Sequence, residues 1–176
     1  MQPDYSLPAP KLAKLLVGWQ LIVDDQQGKR GGIICETEAY TSDDPASHSY
    51  IGKTARNTPM FGAPGTIYIY KIYGMYHCLN IVCGNHDGQA VLIRSIIPDI
   101  GIDIMKQNRP NKTIGVLSNG PAKLFLALGL TNQLNSNRIS SSPIQLAPPT
   151  TKPKIISGPR VGITKATELP WRFTLL

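Results

Sequence analysis

The chain has 176 residues, of which 41% are apolar and 16% charged, enough for one domain that buries its own core and too apolar for a disordered chain. Lys and Arg number 18 against 11 Asp and Glu, a net charge of +7 and a pI of about 9.4, which favours an anionic partner such as nucleic acid. No apolar run approaches the roughly 18 residues of a membrane span, and the first residues lack the basic-then-apolar pattern of a secretory leader.

Pro8-Ala9-Pro10 opens the ordered part. The spacing predicts a short helix over 11–17, with Leu12, Leu15 and Leu16 on one face and Gly18 as its stop. A strand follows at 19–23, a turn at 24–28 and a second strand at 31–40. Residues 41–63 read as a long polar loop. Strands at 65–73 and 75–82 pivot on Gly74, and after a turn at 84–88 another strand runs over 89–96, ended by Pro98. A helix is expected over 99–108, and a further one opened by Gly120-Pro121 and carrying Lys123, Leu124 and Leu128. Residues 131–153 read as a surface loop, and 159–176 as strand, turn, strand. The elements imply a single domain over residues 1–176, a mostly antiparallel sheet with a few helices beside it, in the α+β class.

Several constellations could carry chemistry. Alternation in the second strand puts Glu36, Glu38 and Tyr40 on one face and Ile33, Cys35, Thr37 and Ala39 on the other. That polar face is either solvated or a general base beside a stacking ring. His48 lies in the polar loop that follows, as an exposed histidine or a ligand contact. Tyr68, Tyr70, Tyr73 and Tyr76 crowd one hairpin. Tyr68 and Tyr76 suit a core, Tyr70 a stacking platform, and Tyr73, beside Gly74, a wedge between bases. Arg56, Arg94, Lys123 and Arg160 each read alone as a surface charge. Lys123 in a helix's first turn opposes the helix dipole, which suits a docked phosphate. Cys35, Cys78 and Cys83 show no CxxC spacing and His48, His77 and His86 no HxxxH pair. Buried thiols in a reducing compartment are expected, and no metal site.

Glu36-Thr37-Glu38-Ala39-Tyr40, then His48-Ser49, Arg56-Asn57, Met60-Phe61, Pro64-Gly65-Thr66, Tyr70, Tyr73-Gly74-Met75-Tyr76, Cys78, Asn80 and Arg94 resemble the alkyladenine (3-methyladenine) DNA glycosylase family in order and spacing. Gly120-Pro121-Ala122-Lys123-Leu124, Arg160-Val161-Gly162-Ile163 and Trp171-Arg172-Phe173 are similar to its later blocks, so the resemblance spans about Lys11 to Phe173. It implies a curved antiparallel sheet flanked by helices, with a hairpin that protrudes into DNA. It implies excision of alkylated or deaminated purines from double-stranded DNA by a water nucleophile, without a lysine Schiff base. By similarity Glu38 is the general base and Arg94 holds the water. Tyr40, His48, Tyr70, Asn80 and Cys78 form the base pocket, with Asn80 excluding purines that carry a 2-amino group. Tyr73, Met75, Tyr76, Arg56 and Lys123 meet the DNA. No cofactor, metal or membrane is implied, and the chain is expected to act as a monomer in a bacterial cytoplasm or a nucleus. His77 departs from the family pattern, standing where an apolar residue is expected at the pocket's outer wall. Thr58-Pro59 replaces a more basic segment.

Two other readings remain open on the residues alone. The tyrosines and cations would also serve a non-catalytic nucleic-acid-binding module. A hydrolase of free nucleosides would use the same carboxylate and need no wedge.

Overall fold

The computed structural model describes residues 2–72 and 74–176. In chain order its elements are α1 (Ala9–Leu16), β1 (Gln20–Val23), β2 (Arg30–Tyr40), β3 (Ile67–Ile72), β4 (Tyr76–Cys83), β5 (Gln89–Ile100), α2 (Ile102–Asn108), α3 (Ile114–Leu117), α4 (Pro121–Ala127), β6 (Ile144–Ala147), β7 (Ile155–Gly158) and β8 (Arg172–Leu175). The strands form one curled antiparallel sheet in the order β3-β4-β5-β2-β1-β6. The 11-residue β2 is its axis. Along one edge it pairs with β5. Along the other it pairs with β1 over Arg30–Ile33 and with β8 over Glu36–Glu38, and β7 continues outward from β8. The architecture is α+β, as the element pattern implied.

Alternation along the strands separates two faces. Ile67, Ile69, Leu79, Ile81, Val91, Ile93 and Ala39 enter the main core with Leu12, Ala13 and Leu16 of α1 and Leu124, Phe125 and Ala127 of α4. Leu15 does not join them: it is 41% exposed, because the buried stripe of α1 runs through Ala9, Leu12, Ala13 and Leu16 instead. On the opposite face Tyr68, Val82 and Ala90 pack with Met60, which a 3-10 turn at Thr58–Phe61 supplies from the long loop. Helices therefore cover one face of the sheet and the loop covers part of the other.

Two bulges interrupt the β2–β5 ladder and offset each other. Ile34 faces Ile96, Glu36 faces Ser95 and Thr37 faces Ile93, so Cys35 is extra on β2 and Arg94 extra on β5. A bulge reverses the in/out alternation on its strand. Ile34, not Ile33, is consequently the core residue, and Cys35 sits half-buried against Ser95, Sγ to Oγ 2.9 Å. Beyond the bulge, Glu36, Glu38 and Tyr40 share a face as expected.

Other expectations are corrected. Pro98 does not end β5, which runs on to Ile100. Pro98 stands opposite Gly32 at a further register shift, where a missing ladder N–H is tolerated. α2 accordingly starts at Ile102, not at 99. The segment 131–153 is not all loop: β6 within it pairs with β1 from Gln20↔Ala147 to Val23↔Ile144. The C-terminal pair of strands is β7 and β8, and β7 precedes Pro159, leaving 159–171 irregular. Among the described residues no helix is long and apolar enough to cross a membrane.

Candidate active site

The polar face of the sheet opens into a cavity of about 910 Å³. Its floor follows from strand register. Tyr68 pairs with Asn80, Asn80 with Leu92, Leu92 with Glu38 and Glu38 with Arg172, a row crossing five strands. Tyr70 pairs with Cys78 in the next row. Tyr68, Tyr70, Cys78, Asn80, Leu92 and Glu38 line the cavity, while the alternating Ile67, Ile69, Leu79, Ile81, Val91, Ile93 and Ala39 enter the main core.

Glu38 lies in this floor with no solvent exposure. The Tyr40 hydroxyl donates to its Oε2 at 2.7 Å, and the Val161 backbone N–H donates to its Oε1 at 2.8 Å. Arg94 Nη1 is 3.2 Å from the same Oε1. Burial, then the neighbouring Glu38 charge, pushes the Tyr40 pKa far up, so its hydroxyl keeps its proton and remains a donor. Arg94 is extra on β5 because of the bulge, and the bulge aims it at both carboxylates, with Nε 3.3 Å from Glu36 Oε1. Arg172 Nη1 donates to that Glu36 oxygen at 3.1 Å. The polar face of β2 is therefore a charge network, not a solvated surface.

Aromatic rings form the wall. His48 stacks on Tyr70 with centroids 3.6 Å apart and planes inclined by 28°. The Tyr68 hydroxyl lies 3.2 Å from His48 Nδ1, which fixes the ring's rotation. Burial of much of the imidazole, and Arg56 beside it, push the His48 pKa down to about 4. The ring is neutral at pH 7. Arg56 lies over the Tyr70 ring, 4.5 Å from its centroid, and donates to the Lys71 carbonyl at 2.5 Å. Cys78 lines the cavity as a thiol, its pKa pushed up to about 11 chiefly by burial. Asn80 Nδ2 points to the Tyr68 and Cys78 carbonyls at 3.1 and 3.3 Å.

The structure thus brings Glu38, Arg94, Tyr40, His48, Tyr70, Asn80, Cys78 and Arg56 to one cavity. Met75 and Tyr76 lie apart from its lining, at the exposed end of the β3–β4 hairpin, where Gly74 takes φ +72°. Tyr73 falls outside the described residues. Lys123 does not line the cavity, and its ammonium is held by Asn119 Oδ1 at 2.8 Å. His77 is not in the wall either; it stacks on Phe125 at 5.3 Å. Tyr76 is 42% exposed, contrary to the core role that suited it.

Sequence reasoning missed Leu92 and Met60, which line the cavity, because isolated apolar residues carry no chemical signal. It read Arg160 as a surface charge, whereas the side chain is fully buried against Asp44. A signal was present: Arg160 opens the block that places Val161 on Glu38.

The whole chain can be compared with known proteins. Residues 4–176 match the family model described as methylpurine-DNA glycosylase. Relatives named "Putative 3-methyladenine DNA glycosylase" include one from Nitrosospira multiformis, 45% identical over 98% of this chain and 88% of its own length. Another, from Rhizobium etli, is 49% identical over 92% of this chain and 78% of its own. A third, from Rhizobium meliloti, is 50% identical over 82% and 77%. With residues 4–176 matched and one buried carboxylate in its polar row, this chain belongs to the methylpurine-DNA glycosylase family.

Proposed function

We propose that the protein is a monofunctional DNA glycosylase acting as a monomer in base excision repair. It flips an alkylated or deaminated purine out of duplex DNA, with 3-methyladenine, 7-methylguanine, hypoxanthine and ethenoadenine as its substrate class. Water held by Glu38 and Arg94 attacks C1′. The C1′–N9 bond breaks, its electron pair leaves with the base, and the water's proton passes to Glu38, leaving an abasic site. The observation that carries this reading is the Glu38 carboxylate, fully buried on the cavity floor and held by Tyr40, Val161 and Arg94. A charge placed so can both orient a water and stabilise oxocarbenium character at C1′.

The remaining parts fit base flipping. A base inside a duplex must be unstacked at a cost of a few kcal/mol and then read by stacking and hydrogen bonds. Tyr40, His48 and Tyr70 supply the stacking walls. A neutral His48 suits a cationic methylpurine, which a charged imidazole would repel. Asn80 guards against purines with a 2-amino group, which ranks 7-methylguanine below the other lesions. The hairpin carrying Tyr73, Met75 and Tyr76 enters the gap left in the stack. Arg56 and Lys123 meet phosphates. No cofactor or metal is required. The thiol form of Cys78 argues against a thiolate nucleophile there.

The test is a cleavage assay on two end-labelled duplexes, one with a single hypoxanthine and one globally methylated, followed by alkali. Wild type should give breaks only after alkali, and Glu38→Gln should lose about 10³-fold or more in rate while still binding duplex. Near-normal turnover by Glu38→Gln would overturn the assignment of the base. Breaks without alkali would overturn the monofunctional reading.

A further inference from the structure

Behind the cavity wall lies a buried ion pair that does not itself line the cavity. The side chains of Asp44 and Arg160 are both fully buried. Arg160 Nη1 donates to Asp44 Oδ2 and to the Ala39 carbonyl, the latter at 2.9 Å. Its Nη2 donates to Asp44 Oδ1 at 3.0 Å and reaches the Ala166 carbonyl at 3.4 Å. The guanidinium is also stacked, 4.7 Å from the Tyr40 centroid and 5.4 Å from that of Trp171. Nε has no hydrogen-bond partner among the described residues.

These contacts join two segments 116 residues apart. Asp44 belongs to the loop after β2, which brings Pro45, Ala46 and His48 to the cavity. Arg160 belongs to the stretch after β7, which brings Val161 through Lys165 to the same cavity. The residue directly after Arg160 is the one whose N–H holds Glu38 Oε1. Tyr40, stacked on the guanidinium, holds the other carboxylate oxygen. The same side chain thus backs both of these donors.

Cohesion alone does not account for such a pair. Burying two charges is costly, and apolar residues of similar volume generally hold two segments together as well or better. What a planar guanidinium adds is direction, since its donors are fixed in a fork that reads a carboxylate and backbone carbonyls at set angles. We propose that Asp44 and Arg160 are positioning residues: their ion pair locks the two wall segments in one register and thereby sets the Val161 N–H and the Tyr40 hydroxyl on Glu38. The role rests on the glycosylase reading, in which Glu38 orients the attacking water. A misalignment of about 1 Å at such a contact is enough to slow a reaction about 10²-fold.

The test uses the full chain and single-turnover cleavage of a hypoxanthine-containing duplex with enzyme in excess. Arg160→Lys keeps the charge and loses the fork. Its maximal rate constant should fall about 10²-fold, with the half-saturating enzyme concentration within about threefold of wild type. Asp44→Asn should show the same split. Hydrogen exchange supplies a readout independent of turnover: the Val161 amide should exchange faster in both variants, while the amides of Leu79 and Ile93 keep their protection. A folded variant with a wild-type rate constant overturns the proposal, as does a loss explained entirely by weaker binding. If Arg160→Lys does not fold, the Asp44→Asn result decides. A wild type that releases no base from either lesion duplex removes the glycosylase reading and this role with it. An active wild type with unaffected variants removes this role alone.

Discussion

The Glu38 carboxylate shows how much a site depends on donors that carry no charge. Tyr40 is held protonated by burial, so its hydroxyl stays a donor throughout the working range. Tyr40→Phe keeps the ring and removes that donor. Cleavage should slow about 10-fold or more and the thermal unfolding midpoint should fall by a few degrees, because a buried hydrogen bond to a charged group is lost. His48 behaves differently, because folding lowers its proton affinity. The unfolded imidazole takes up a proton near 6.5 and the folded one near 4, owing first to burial and then to Arg56. Between those values the unfolded chain holds more protons, so stability falls as pH drops through that window. Urea midpoints at pH 7 and pH 5 should therefore differ more in wild type than in His48→Gln. An NMR titration of the His48 ring should show a midpoint well below 6.5, and Arg56→Ala should move it upward.

The elements show which parts of this fold a sequence announces and which it withholds. β2 is legible because Glu36, Glu38 and Tyr40 follow a strict alternation, and the bulge that disturbs it lies just upstream at Cys35. The strands on either side of Gly74 are legible for the same reason. β6 is hidden because its four residues sit among Ser, Thr, Asn and Pro, and its support is tertiary: pairing with β1 and burial of Ile144 and Leu146 in the core. The run of β5 past Pro98 is hidden because proline normally closes a strand, and only the register shift opposite Gly32 accommodates it. Arg160 is hidden because its partner is distant in the chain and nothing local distinguishes it from a surface cation. Gly32 also has a consequence that can be measured. A Cβ there would lie 2.0 Å from the Ile97 carbonyl oxygen, against backbone that cannot yield without breaking the ladder. Gly32→Ala should cost about 2–3 kcal/mol in denaturant unfolding, far more than a glycine substitution in an open turn.

Across the whole molecule, charge and topology act separately. The net charge of +7 is dispersed along the sequence, with no long run of Lys and Arg. A few phosphate contacts then dominate duplex affinity, which should weaken about 10²-fold between 50 and 200 mM salt, with log Kd linear in log salt. Topology carries a less obvious consequence through the two bulges. Cys35 and Arg94 are each one residue too many for a regular ladder, and each restores the register that the other displaces. Ile34 and Thr37 on β2, and Ile93 and Ile96 on β5, are buried on the core side of this irregularity. Removing either extra residue alone would turn the rest of a strand inside out. Removing both would leave Ile34, Glu36 and Thr37 facing Ile96, Ser95 and Ile93 in unbroken alternation. The guanidinium that faces Glu36 and Glu38 is, in this sense, a matched insertion of two residues into an otherwise ordinary sheet. The scaffold and its chemistry are encoded as separable parts, so a chain lacking both residues should fold, keep Arg172 on Glu36 and have no arginine paired with Glu38.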